Sequence, residues 1–239
     1  MFTREWGTGE KYALLIHGLA SSSLAWHQLG RDLAHLGYHV IAPDLSGHGK
    51  SLHSSTYSLE EWANEIVSLG ITPELLIGHS MGGLIAAKVS LQLHPAKIIL
   101  LDPVVRLPTA RLILRGVQES FRYSMLRRLR WKISDRTWSR RDAHIEHASI
   151  RSWDHKSSRA LKSHTVIVRD CLYSGKQVLI VRAKGSYIVP SNLQRLVCKG
   201  NTTFSYLNVG HNLHCESYKE LFSLIVNYIS PRELNALDY

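Results

Sequence analysis

Cysteine is scarce in this 239-residue chain: Cys171, Cys198 and Cys215 are three in number and follow no metal-ligand spacing. An odd count of this kind argues against a disulfide framework and suits a reducing compartment. Long apolar runs are missing too, since no stretch reaches the ~18 residues that a membrane span needs. The opening residues Met1-Phe2-Thr3-Arg4-Glu5-Trp6-Gly7 lack an apolar signal-peptide core, so the expected location is the cytoplasm. Internal repeats and low-complexity tracts are absent. What remains is an ordinary hydrophobic content of 44%, in a length that suits one larger α/β domain or a core with a subdomain.

Acidic residues are short in one region only. Of the 29 Lys+Arg and 19 Asp+Glu, 16 and 6 fall within residues 103–170, which leaves 13 of each elsewhere. The whole formal charge of +10 therefore sits in one segment, a regional property that requires its own explanation.

Short apolar runs recur at residues 12–16, 39–44, 74–77, 97–101, 177–181 and 203–207. Continuous runs of this length read as strands buried on both faces, as in a parallel sheet. Helical spacing lies between them at 26–36, 59–69, 80–93 and 218–229. This alternation gives an α/β fold with a doubly wound, mostly parallel sheet. Residues 103–170 break the rhythm. They are rich in Arg, Trp and Ser, with patchy helical signals at Leu112, Leu114, Met125, Leu126 and Leu129. The expected organisation is a core of residues 1–102 and 171–239, with a basic helical cap, 103–170, inserted between two late strands.

The segment Gly78-His79-Ser80-Met81-Gly82-Gly83 follows the apolar Leu75-Leu76-Ile77 and opens a helical pattern. A serine on a sharp strand-to-helix turn needs neighbours without bulky Cβ groups, which glycine supplies. Such a turn lifts the hydroxyl clear of the backbone and aims the first helical N–H groups at the reacting atom.

With three further motifs in order, the chain resembles the α/β-hydrolase superfamily. His17-Gly18-Leu19-Ala20-Ser21-Ser22 resembles its His-Gly turn. Asp44-Leu45-Ser46-Gly47-His48-Gly49-Lys50-Ser51 resembles its Asp-x-x-Gly-x-Gly-x-Ser segment. Val209-Gly210-His211 resembles the turn that carries the base. The resemblance implies Ser80 as nucleophile and His211 as base. His214 is the nearest rival base and is expected to be structural. His79 precedes the nucleophile, so its ring is expected to point away. The resemblance also implies an oxyanion hole from the backbone N–H groups of Leu19 and Met81. His17 and Gly18 would border the substrate, with His17 chiefly anchoring its turn, and Trp131 and Trp138 of the cap are candidates to line an acyl pocket.

The acid departs from the family pattern. The usual stretch ends Asp-x-x-Val-Pro, whereas here it reads Ser186-Tyr187-Ile188-Val189-Pro190, and no Asp or Glu lies between Asp170 and Glu216. Pancreatic-type lipases carry the acid one strand earlier, which in this chain is Asp102. A carboxylate there would hold the tautomer of the base and stabilise its imidazolium. A Ser80–His211 dyad without an acid, or a carboxylate from elsewhere, stays open; Asp44 is the weakest rival because its motif organises a loop.

The resemblance implies a carboxylesterase acting on a small-molecule ester through an acyl-enzyme, with no cofactor and no metal. Carbon–carbon bond hydrolases and lyases keep the same serine, and a ligand-binding scaffold without turnover is an alternative of another class. The basic cap reads either as a solvated surface or as an attractor for an acidic carrier such as acyl carrier protein or coenzyme A. Esterases that act on acyl-carrier methyl esters are of similar size and architecture. Contact with anionic membrane or nucleic acid is a third reading of the cap, and no nucleic-acid partner is expected.

Overall fold

The computed structural model describes residues 1–104, 138–162, 175–186 and 201–230, without the side chains of 161 and 162. Seven strands form one sheet: β1 (Phe2–Trp6), β2 (Lys11–Ile16), β3 (Tyr38–Asp44), β4 (Leu75–His79), β5 (Lys97–Leu101), β6 (Gln177–Ala183) and β7 (Thr202–Leu207). Their spatial order is β1-β3-β2-β4-β5-β6-β7. All pairs are parallel except β1 against β3, where Phe2 faces Asp44 and Trp6 faces Val40. β1 is absent from the six apolar runs of the sequence. As an edge strand it packs little of its surface, and Thr3, Arg4 and Glu5 give it no apolar run to read.

The inner strands are apolar throughout because both faces are covered. Leu14, Ile16, Leu76, Ile98, Leu100, Val178 and Ile180 face one buried cluster with α2 (Leu59–Val67) and α3 (Met81–Leu93). Ala13, Leu15, Leu75, Ile77, Ile99, Leu101, Leu179 and Val181 face the other, with α1 (His27–His35) and a C-terminal helix, Tyr218–Ile229. Alternate residues of one strand thus enter different cores. Ser58 caps α2, its hydroxyl accepting from Glu61 N–H at 3.0 Å, and Glu60 and Glu61 complement the helix dipole.

Between β5 and β6, the described residues form α4 (Arg140–Arg151) and a 3-10 segment, His155–Lys162. Ser139 and Asp142 close a capping box at the start of α4. The segment rests on the core at several points. Ser149 bonds Ser22 through their hydroxyls at 2.7 Å, Asp154 N–H donates to Gly47 O at 2.8 Å, and the Tyr57 hydroxyl donates to Asp154 at 2.8 Å. Ile150 and Trp153 pack on Leu19 and Ala20. Trp131 and the helical signals at 112–129 lie outside the described residues. Among the described residues no helix is long and apolar enough to cross a membrane.

α3 crosses the sheet at van der Waals distance from strand backbone. A Cβ on Gly82 would collide with the carbonyl oxygens of Ile16 and His17, and one on Gly78 would collide with the carbonyl of Gly82. Gly82→Ala is therefore expected to destabilise the fold by about 1–3 kcal/mol, as overpacking does, despite the better helix propensity of alanine. A urea midpoint lowered at constant slope is the expected reading; an unchanged midpoint would show that the helix can lift off the sheet freely.

Candidate active site

The carboxyl ends of β4 and β5 and the loop after β7 meet at one edge of the sheet. Ser80 stands between β4 and α3 with φ 53 and ψ −116. This left-handed backbone is costly for a residue with a Cβ. Four hydrogen bonds hold it. Ser80 N–H donates to Leu101 O at 2.9 Å, and its carbonyl accepts from the N–H groups of Gly83, Leu84 and Val104. The residue is 7% exposed, and its hydroxyl makes no hydrogen bond among the described residues.

Asp102 directly follows β5, with φ 42. Its N–H donates to Val181 O at 2.8 Å. One carboxylate oxygen accepts from Ala183 N–H at 3.1 Å. The other accepts from His211 Nδ1–H at 2.6 Å. Asp102 is fully buried, while the His211 side chain keeps 16% exposure. The carboxylate fixes the proton on Nδ1 and leaves Nε2 as the basic nitrogen. Two residues 109 apart in sequence are thus brought together. Ser186, at the family's usual acid position, instead closes a turn, its N–H donating to Ala183 O at 3.2 Å.

The His17-Gly18 turn lies against the serine. A Cβ on Gly18 would come within 3.3 Å of Ser80 Cβ, so glycine allows the approach. Among the described residues, neither Leu19 nor Met81 N–H has a recorded acceptor, which leaves both donors free. His17 is 1% exposed, its Nδ1–H donates to Gly18 O at 2.8 Å, and its Nε2 accepts from Leu45 N–H at 3.1 Å. Both ring nitrogens are thus engaged within the fold, and the residue anchors its turn. Trp138 is half-buried just ahead of α4. Asp44 organises its loop, its two carboxylate oxygens accepting from Ser23 N–H at 2.6 Å and Lys50 N–H at 2.8 Å.

The model of the family described as "Alpha/beta hydrolase family" matches residues 13–223. The chain belongs to this family. Lipase LipV of Mycobacterium tuberculosis is 31% identical over 110 residues, 44% of this chain and 41% of the relative. Pimeloyl-[acyl-carrier protein] methyl ester esterase of Edwardsiella ictaluri is 29% identical over 133 residues, 54% of this chain and 50% of the relative. The chain spans about half the length of these curated relatives. Among solved structures, the thioesterase domain from the curacin biosynthetic pathway superposes with a TM-score of 0.72 at 23% identity, covering 94% of each chain. That likeness is one of fold.

Within this α/β hydrolase one support of the base loop had no motif in the sequence. Glu216 accepts from Gly210 N–H at 2.6 Å, and its carboxylate occupies the space a Cβ on Gly210 would need. His214 stands in α5 (Leu213–Glu216), is 6% exposed, and packs on Trp26 at 5.3 Å between ring centroids. The only sequence signal of Glu216 was proximity to His211. His79 was misjudged: its ring does not turn away but lies 4.7 Å from the ring of His211, centroid to centroid.

Burial holds His17, His27, His48, His79 and His214 below the ordinary imidazole pKa, and His214 is pushed down to about 3. Their unfolded values lie near ~6.5. Below that pH the unfolded chain binds more protons than the folded one, so stability falls as pH falls. Each such residue contributes a limiting slope of about 1.4 kcal/mol per pH unit, and for His214 the loss continues down to about pH 3. The unfolding temperature is expected to drop steadily from pH 7 to pH 5, and less steeply in His214→Gln. Equal slopes in the two proteins would show that His214 is protonated as readily folded as unfolded.

Proposed function

We propose that the chain is a serine hydrolase that cleaves a carboxylic ester through an acyl-enzyme. The observation that carries this reading is the 2.6 Å bond from His211 Nδ1–H to Asp102, at the sheet edge where Ser80 is held on its strained turn. His211 Nε2 takes the Ser80 proton as Oγ attacks the ester carbonyl. The resulting oxyanion is met by the N–H groups of Leu19 and Met81. Collapse breaks the ester bond, and the leaving alkoxide takes the proton from His211. Water then repeats the sequence on the acyl-enzyme: His211 removes its proton, and Ser80 Oγ recovers it as the carboxylic acid departs. Asp102 keeps its charge throughout and stabilises the imidazolium.

The reading as a scaffold without turnover rests on the missing acid at Ser186, and the Asp102–His211 bond counts against it. The curated relatives' names, a lipase and a methyl ester esterase, favour an ester over a carbon–carbon bond. Ser80→Ala is expected to lower kcat for p-nitrophenyl acetate by at least ~10³-fold with the fold intact, because triad members act as a unit. Asp102→Asn is expected to cost ~10²–10⁴-fold by favouring the wrong tautomer. Activity per folded molecule, with folding followed by circular dichroism, is the measurement. Near-normal kcat in either variant would overturn the assignment of that residue.

Residues 103–170 act in this reading as a cap that receives an acidic carrier, acyl carrier protein or coenzyme A. Arg140, Arg141, His144, Arg151, Lys156 and Arg159 are exposed there, whereas Asp142 is buried. One relative is named for an acyl-carrier substrate. The value of kcat/KM for a carrier-bound ester should fall steeply with salt, since exposed charges beyond ~10 Å are largely screened at 0.1 M. That for a neutral short ester should stay level. Arg141→Glu with Arg151→Glu should weaken only the first. Equal salt slopes would return the cap to a solvated basic surface.

A further inference from the structure

His79 ends β4 and joins Ser80 through one peptide bond. Its Nε2–H donates to the carbonyl oxygen of His211 at 2.9 Å. On its other side it fills the space beside the oxyanion turn, where a Cβ on Gly18 would come within 3.1 Å of His79 Nδ1. His214 packs edge-on against it at 4.9 Å, and the residue is 4% exposed. One imidazole thus touches the base loop and the His17-Gly18 turn while its backbone leads into the nucleophile.

We propose that His79 is a positioning residue, which fixes the loop carrying His211 against the turn carrying Ser80 by its hydrogen bond to the His211 carbonyl. The proposal rests on the serine-hydrolase reading. His211 is then held at three points: its ring by Asp102, its carbonyl by His79, and the N–H of the preceding Gly210 by Glu216. Without the His79 bond, the loop loses the anchor nearest the serine, and the ring contact with Asp102 loosens. The Ser80 hydroxyl and the base are not bonded to each other in the free enzyme, so their relative placement depends on such anchors. A misplacement of ~1 Å can cost about 10²-fold in rate. Burial, with His211 and His214 as neighbours, keeps His79 neutral well below the ordinary imidazole range. A second cation therefore does not form beside His211 when it takes the serine proton.

The test compares His79→Phe, which keeps a ring but has no donor, with His79→Gln, whose amide donates from a similar reach. For p-nitrophenyl acetate, His79→Phe should lose about 10–100-fold in kcat with KM changed less than twofold, and His79→Gln should recover most of the loss. Proton NMR of the free enzymes supplies a readout independent of turnover. The low-field signal of the His211 Nδ1–H should broaden or vanish in the Phe variant and persist in the Gln variant. If wild type fails to turn over the ester, the hydrolase reading fails, while the NMR comparison still decides the role of His79. Should His79→Phe not fold, the donorless His79→Met replaces it with the same expectations. Wild-type kcat with an intact low-field signal in the donorless variant would overturn the proposal, as would a Gln variant as impaired as the donorless one.

Discussion

The carboxylate of Asp102 joins parts of the chain that lie far apart in sequence. One oxygen takes the N–H of Ala183 at the end of β6, and the other takes Nδ1–H of His211 from the loop after β7. Its own N–H is tied to Val181. A buried carboxylate without partners would cost several kcal/mol; here the partners are what set the site. The left-handed backbone at Asp102 is tolerable because β6 holds the residue from both sides. The same logic governs Ser80, whose strained turn is fixed by Leu101 on one side and by the first turn of α3 on the other. The sheet thus supplies the rigidity that holds these two strained residues at adjacent strand ends.

Around this pair lies a group of imidazoles that burial keeps uncharged. His79 packs between His211 and His214, and Trp26 closes the column. A low-dielectric surround strengthens the Asp102–His211 bond. Among the described residues, His211 is the one of these three imidazoles with a carboxylate hydrogen-bonded to it. The cost is acid sensitivity, because each neutral imidazole must be protonated when the chain unfolds below the ordinary range.

What was legible in the sequence followed from how local each signal is. Ser80 and His211 sit in motifs whose glycines are required by contacts within a few residues or by close backbone approach. Gly78 and Gly82 leave no room for a Cβ. The inner strands were legible because burial on both faces writes continuous apolar runs. β1 was not, since a charged edge strand gives no such run. Asp102 was reached through the absence of any Asp or Glu between Asp170 and Glu216 together with the family likeness, and its tie to Ala183 has no local signature. His79 was misread because chain order says that it precedes the serine but not that the loop after β7 folds back over it. Glu216 escaped for the same reason: its partner, Gly210, is a backbone N–H, which no residue type announces. Residues 105–137, with most of the basic charge of the cap, lie outside the described residues.

The central claim is that Asp102, from the end of β5, makes His211 the base that activates Ser80. Its most direct test is peptide mapping of the adduct formed by a fluorophosphonate, with the rate of labelling followed by intact mass. The expected result is a single adduct on Ser80 in the wild-type chain at neutral pH, formed at least ~10²-fold more slowly in Asp102→Asn. An adduct on another residue, or an undiminished rate in the folded Asp102→Asn variant, would contradict it.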